Sequence, residues 1–229
     1  MHPTIPTHTL VIGTHPSDQS FKKTEYYGHF CNAFWYTVGE AFGFRRDVGE
    51  ITPRVTDRAD SYGRIVLLPG ALQLPVITYD RQVTILLEKG FALWDVLQQC
   101  KRPGSLDKSI DRNAPILHAD IKGLVNKTPS IKRICFTSGV SSFTMFCRLK
   151  SNKDWLKQDG AFRCDPKDWR TIKQFEKGPK WQKRIAKETS KDAIVVCCLP
   201  SCSPANAIVT YPQKRKEWLE LCWRPSLYL

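Results

Sequence analysis

The 229-residue sequence is short of several features that would fix its chemistry directly. Its nine cysteines (Cys31, Cys100, Cys135, Cys147, Cys164, Cys197, Cys198, Cys202 and Cys222) contain no C-x-x-C pair, so neither a zinc ribbon nor a dithiol redox site is indicated. Cys197 and Cys198 fall in a strand-like run where successive side chains point to opposite faces, and the set reads as reduced, mostly buried thiols. Neither a G-x-G-x-x-G stretch nor a Walker-type loop is present, which argues against a doubly wound nucleotide-binding enzyme. No apolar run approaches a membrane span, and the amino terminus lacks the basic-then-apolar order of a secretory signal. A soluble, intracellular protein with no membrane partner is expected, in the nucleus if eukaryotic and otherwise in the cytoplasm. Acidic residues are scarce: 22 Asp and Glu against 35 Lys and Arg leave a formal charge of +13, and such an excess favours polyanions by counterion release.

What is present is globular. A hydrophobic fraction of 41% suits one well-buried core, and residues 1–229 are expected to form a single domain. Thr9 to Ile12, Ile131 to Phe136 and Ala193 to Leu199 read as buried parallel strands, each ending near Gly, Ser or Pro. Helical spacing predicts helices from Asn32 to Phe44, Arg81 to Lys89, Gly139 to Leu149 and Gln213 to Cys222. Strands alternating with helices imply a three-layer α/β/α sandwich around a mainly parallel sheet. Between about residues 50 and 80, Pro53, Pro69, Gly70 and Pro75 mark a long excursion or an extra hairpin, with Arg64 to Leu68 as a short strand.

The charge is uneven. Ser151 to Lys191 holds 12 Lys and Arg against 6 Asp and Glu, interleaved with Trp155, Trp169, Phe175 and Trp181. Two readings stand: a solvated helical face with anchoring aromatics, or contact with a phosphate backbone through Lys177, Lys180, Lys183 and Arg184.

The most informative stretch runs from Leu10-Val11-Ile12-Gly13-Thr14-His15-Pro16-Ser17-Asp18 to Tyr26-Tyr27-Gly28-His29-Phe30-Cys31-Asn32-Ala33-Phe34-Trp35. A buried strand ending in a Gly/Pro loop, then an aromatic segment with His and Asn entering a helix, is how a pocket is built at the carboxyl end of a parallel strand. These residues resemble the uracil-DNA glycosylase superfamily, and within it the hypoxanthine-DNA glycosylase branch, with its Gly-Ser/Thr-x-Pro loop and Tyr-Tyr-x-His-x-x-Asn-x-Phe-Trp. Two further blocks extend the resemblance in the right order. They are Gly90 to Leu97 with Cys100 to Asp107, and Leu199-Pro200-Ser201-Cys202-Ser203-Pro204-Ala205-Asn206-Ala207. The stretches of about 50–80 and 150–191 are longer than the family core requires, and Phe30-Cys31 stands where Pro-Arg is more usual. The resemblance implies a short four-stranded central sheet; with the cysteines read as buried thiols, the iron-sulfur clusters of some other branches are not expected, nor is another cofactor.

It also implies roles. Excision breaks the C1′–N bond while the sugar becomes oxocarbenium-like and negative charge develops on the base. Asn32 takes the catalytic place: its side-chain carbonyl can accept a hydrogen bond from the attacking water. An asparagine there can equally cap a helix beginning at Ala33. His15 could donate to the leaving base, and no Asp, Glu or Asn precedes Asp18 in its loop. Tyr27 resembles the ring on which the flipped base stacks, with His29, Gly13 and Thr14 as further base-binding candidates. Ser201, Ser203, Pro204 and Asn206 follow the last strand, where hydroxyls and amides can grip phosphates. Ser105 and Asp107 read as helix caps, and Trp94 as core.

The function these residues imply is a monofunctional DNA glycosylase of base excision repair. It would act as a monomer on DNA with a damaged or mismatched base, hypoxanthine first, leaving an abasic site. A uracil or G-mismatched thymine or uracil glycosylase is the alternative in the same class, and an inactive nucleic-acid-binding protein of the same fold the alternative outside it. No lysine in the three blocks falls where a Schiff-base nucleophile would be assigned, so lyase activity is not expected.

Overall fold

A computed structural model describes residues 5–46, 55–56, 65–158, 161–165, 167–177 and 193–226. Its centre is a parallel sheet of five strands: β1 (Thr9–Gly13), β2 (Phe91–Asp95), β3 (Arg133–Phe136), β4 (Phe162–Cys164) and β5 (Ile194–Cys198), in the order β4-β5-β3-β1-β2. Every neighbouring pair is parallel, with Gly13 opposite Asp95 and Ile12 opposite Phe136.

Side-chain alternation along the strands builds the layers. Leu10, Ile12, Ile134, Phe136, Val196 and Cys198 enter one buried cluster, while Val11, Cys135, Val195 and Cys197 enter the other. The first cluster is covered by α4 (Ile121–Lys127), α5 (Val140–Phe146) and α6 (Lys150–Leu156), through Val125, Phe143 and Trp155 among others. The second is covered by α2 (Phe34–Phe42), α3 (Tyr79–Glu88) and α8 (Tyr211–Trp218), through Trp35, Leu86 and Trp218. Cys197 and Cys198 thus face opposite layers, and all nine cysteines are free thiols, eight of them buried. Among the described residues no helix is long and apolar enough to cross a membrane.

The helices begin and end where local chemistry dictates. Ser17 caps α1 (Asp18–Lys23) by accepting the Ser20 N–H, Thr78 caps α3 through Arg81, and Thr210 with Gln213 closes a capping box on α8. Gly43 ends α2 at φ 81°, a conformation that costs glycine nothing.

The expected four-stranded sheet is corrected to five. Neither β2 nor β4 is among the strands read from the sequence; β4 lies inside the 150–191 stretch, where Phe-Arg-Cys is three residues long amid charged neighbours. That stretch is partly integral to the fold: Trp155 is buried edge-on against Phe162, at 4.8 Å between ring centroids. The reading of Trp94 as core is also overturned, since it is 39% exposed on β2, which forms an edge of the sheet. In the 50–80 stretch Val55–Thr56 pairs with Ile65–Val66 in parallel rather than as a hairpin.

Candidate active site

In a parallel sheet, ligands lie beyond the carboxyl ends of the strands, where strand order reverses. Here the chain leaves β1 to one side for β2 and afterwards crosses to the other side for β3. A cavity of about 480 Å³ opens at that place. It is lined by the end of β1 and its loop (Gly13 to Ser17), the aromatic segment (Tyr26, Tyr27, His29, Asn32), Asp95 and Asp107, Thr137 and Ser138 after β3, and Ser201 to Asn206 after β5. Three sequence blocks far apart in the chain are thereby brought to one space.

Asn32 faces this cavity, and its Oδ1 also accepts the Phe34 N–H at 3.0 Å, so it caps α2. The cap fixes the side chain and leaves the second lone pair of the carbonyl for another donor. The Ala33 N–H donates to Cys202 O at 2.8 Å, stitching this segment to the loop after β5. Tyr27 adopts φ 55°, an uncommon left-handed conformation for a bulky residue. Its ring stacks on Phe34 (centroids 4.0 Å apart) and its hydroxyl donates to Thr137 Oγ1 at 3.1 Å. Phe34 therefore covers one face of the ring. Arg46, buried, donates to the carbonyls of Tyr27 (3.4 Å) and His29 (3.2 Å) and holds the segment from behind.

His29 Nδ1 accepts the Cys31 N–H at 3.1 Å, which places the proton of the neutral ring on Nε2. His15 sits differently: Nδ1 lies 3.2 Å from the Pro16 carbonyl, which can only accept, so Nε2 of the neutral ring is an acceptor. Burial, reinforced by the Arg102 charge, lowers the His15 pKa and favours that neutral form. His15 in this state is suited to accepting a proton rather than donating one.

Ser105 and Asp107 do not cap the helix expected of them; they brace the first loop. Thr14 Oγ1 donates to Asp107 Oδ2 at 2.7 Å, Arg102 pairs with Asp107 Oδ1 at 3.6 Å, and Ser105 Oγ accepts the Asp18 N–H at 3.0 Å. The Thr14 hydroxyl is thus committed inside the protein. Asp95 lines the cavity too, and neither it nor Tyr26, Thr137 or Ser138 is among the residues that the sequence points to. Burial first, and then the neighbouring Asp107 charge, push the Asp95 carboxyl up to about 7, against the opposing effects of a Tyr26 hydrogen bond and of Arg102.

The loop after β5 is shaped by its own polar groups. Ser201 Oγ accepts the Ser203 N–H and Ser203 Oγ accepts the Ala205 N–H, both at 3.2 Å, so each hydroxyl keeps its proton to donate elsewhere. Asn206 Nδ2 donates to Ser201 O (3.1 Å), and Lys214 Nζ donates to Asn206 O (2.8 Å) and Ser203 O (3.4 Å). Asn206 and Lys214 hold the loop, Pro204 lies exposed on it, and Ile208 stands 90% exposed at its far side.

A second depression of about 470 Å³ shares Ser138, Ser201 and Asn206 with the first and adds Arg170, Lys173 and Lys177 of α7 (Trp169–Lys177). Lys177 is thus brought beside the cavity, together with Lys173 and Arg170, which the sequence had not singled out. Lys180, Lys183 and Arg184 lie outside the described residues. Among the described residues no cluster of three His, Cys, Asp or Glu side chains is arranged to hold a metal.

No family model matches the chain. Two curated proteins named hypoxanthine DNA glycosylase, from Methanosarcina acetivorans and Methanosarcina barkeri, are each 28% identical to it over 130 residues. The match takes in 57% of this chain and 63% of each relative. A solution NMR structure from Methanosarcina acetivorans, provisionally named a uracil DNA glycosylase, has the same fold. It is similar at a TM-score of 0.54 and 23% identity, over 96% of this chain and 91% of that one. With three motif blocks in order around a cavity at the carboxyl ends of this sheet, the chain shares the fold of that solved structure and is similar in sequence to the two hypoxanthine DNA glycosylases.

Proposed function

We propose that the protein is a monofunctional DNA glycosylase that hydrolyses the N-glycosidic bond of a flipped deaminated base, hypoxanthine preferred, and leaves an abasic site. The observation that carries the reading is the convergence of Asn32, Tyr27, His29 and the Ser201–Asn206 loop on one cavity of about 480 Å³. That volume falls within the range of roughly 300–1,000 Å³ usual for small-molecule sites.

The parts divide the work. Asn32, locked by its cap, directs water at C1′ with its remaining lone pair. The Tyr27 ring, on the side away from Phe34, receives the base, and His29 lines the same cavity. Ser201 and Ser203 donate to the phosphates flanking the flipped nucleotide, and Lys173 and Lys177 track the strand beyond them. Ile208, apolar and 90% exposed beside this loop, is suited to wedge into the gap that the flipped base vacates.

The test is excision on oligonucleotides carrying hypoxanthine, uracil, xanthine or G-mismatched thymine, with alkali used to reveal abasic sites. Fastest product from hypoxanthine, seen only after alkali, is expected. Strand breakage without alkali would exclude the monofunctional reading, and no product from any base would exclude the enzyme.

A further inference from the structure

Asp95 ends β2 directly opposite Gly13, the last residue of β1. Gly13 leaves room for it: a Cβ at that position would collide with Asp95 Oδ1 and lie 3.4 Å from the Tyr27 hydroxyl. The carboxyl and the Tyr27 ring therefore converge over the strand end, inside the cavity read above as the base site. The nearby cation, Arg102, pairs with Asp107. The titratable groups facing Asp95 are Tyr26 and Tyr27 from the segment before α2, and Arg102 and Asp107 from the segment after β2; His15 and His29 line the same cavity. Tyr26 hydrogen-bonds the carboxyl, whereas the Tyr27 hydroxyl is taken by Thr137.

We propose that Asp95 is a catalytic residue that delivers a proton to the departing purine from its neutral carboxyl form. This rests on the glycosylase reading. As the C1′–N9 electron pair moves onto the base, the Asp95 proton passes to N7 and hypoxanthine leaves neutral. The water held at Asn32 forms the new C1′–O bond, its surplus proton goes to solvent, and the Asp95 carboxylate is reprotonated from solvent. The environment supports this chemistry: a carboxyl pushed up to about 7 still holds its proton in much of the population at neutral pH. A purine offers N7 to such an acid, whereas uracil leaves as a resonance-stabilised anion and needs it less.

The experiment measures single-turnover excision of hypoxanthine and of uracil from about pH 5.5 to about 9, for the protein and for its near-isosteric variant Asp95→Asn, which can donate a hydrogen bond but not a proton. On hypoxanthine the unaltered protein should slow by up to about tenfold per pH unit above about 7. Asp95→Asn should be about 10²-fold slower near pH 6 and should lose that decline, with a smaller loss on uracil. A carboxyl ¹³C titration of the unaltered protein should place Asp95 near neutrality. Asp95→Asn within about threefold of the unaltered rate, an unchanged pH decline, equal losses on both bases, or a carboxyl that titrates near about 4 would each overturn the proposal. If the unaltered protein excises no base at all, the glycosylase reading fails as well; if it excises hypoxanthine and only the variant departs from expectation, Asp95 fails alone.

Discussion

The two walls of the cavity are built on opposite plans. On the wall formed by the first loop, the aromatic segment and the end of β2, polar side chains are spent on one another. Thr14 is bonded to Asp107, Tyr27 to Thr137, and Asn32 to the start of α2, with Tyr27 held at φ 55°. On the wall formed by the loop after β5 and by α7, the serine hydroxyls keep their protons, Lys173 and Lys177 are exposed, and Ile208 projects into solvent. The first plan costs folding energy, since an uncommon backbone conformation costs about 1–3 kcal/mol, and it yields fixed geometry for a small ring and a reacting atom. The second suits a large polyanion whose phosphates supply the missing partners on arrival. Substitutions on the first wall should change rate, and those on the second should change binding.

The sharpest way to break that division is at Asn32. Asn32→Ala should lower the single-turnover rate by about 10²- to 10⁴-fold while DNA affinity changes little. Because Oδ1 also caps α2, chemical denaturation should show a loss of about 0.5–2 kcal/mol. The stability loss without the rate loss would mean that Asn32 is a cap alone.

How far the sequence reveals each wall follows the same contrast. The strand ends and the aromatic segment are written in local signals, such as the buried run into Gly13 and the helix stop at Gly43, and the residues chosen there do line the cavity. What could not be read is whatever depends on distant neighbours. Asp95 is an ordinary carboxylate after a tryptophan until burial and Asp107 raise its pKa. Ser105 and Asp107 look like caps, yet their partners Asp18 and Thr14 lie 87 and 93 positions away. Period-two patterning cannot say which strand is an edge, so Trp94 was misplaced, and three residues of β4 carry too short a pattern to register.

Tyr27 tests the first wall more finely. Stacking of a base on a ring is worth roughly 1–3 kcal/mol, so Tyr27→Ala should lower excision by about 5- to 150-fold. Tyr27→Phe keeps the π-face and loses only the bond to Thr137, which should cost about 0.5–1.5 kcal/mol of stability and little activity. Parallel excision assays and melting curves check both, with folding verified by circular dichroism. Equal activity of the two variants would remove the ring from base contact and leave Tyr27 as packing against Phe34.

The smallest effect is expected on the second wall and concerns the slope of affinity with salt. Lys173 and Lys177 are exposed on α7, in the depression that shares Ser138, Ser201 and Asn206 with the cavity lined by Asn32 and Tyr27. The helix is anchored to the strand end it flanks: Asp168 accepts the N–H groups of Thr171 and Cys198, both at 3.0 Å, so the lysines are held in a fixed relation to the loop after β5. If each contacts one phosphate, the plot of log affinity against log salt should become shallower by about 1.8 units in the Lys173→Ala, Lys177→Ala double variant on duplex DNA, or about 1.4 on single strands. The loss should be the same for every base in the panel, because phosphate contacts carry no base information. The single-turnover rate at saturating protein should be unchanged, since neither residue lines the cavity that holds Asn32 and Tyr27. Fluorescence anisotropy across a salt series reads the slope directly. An unchanged slope would make α7 a solvated flank of the sheet and confine the proposed phosphate contacts to the Ser201–Asn206 loop.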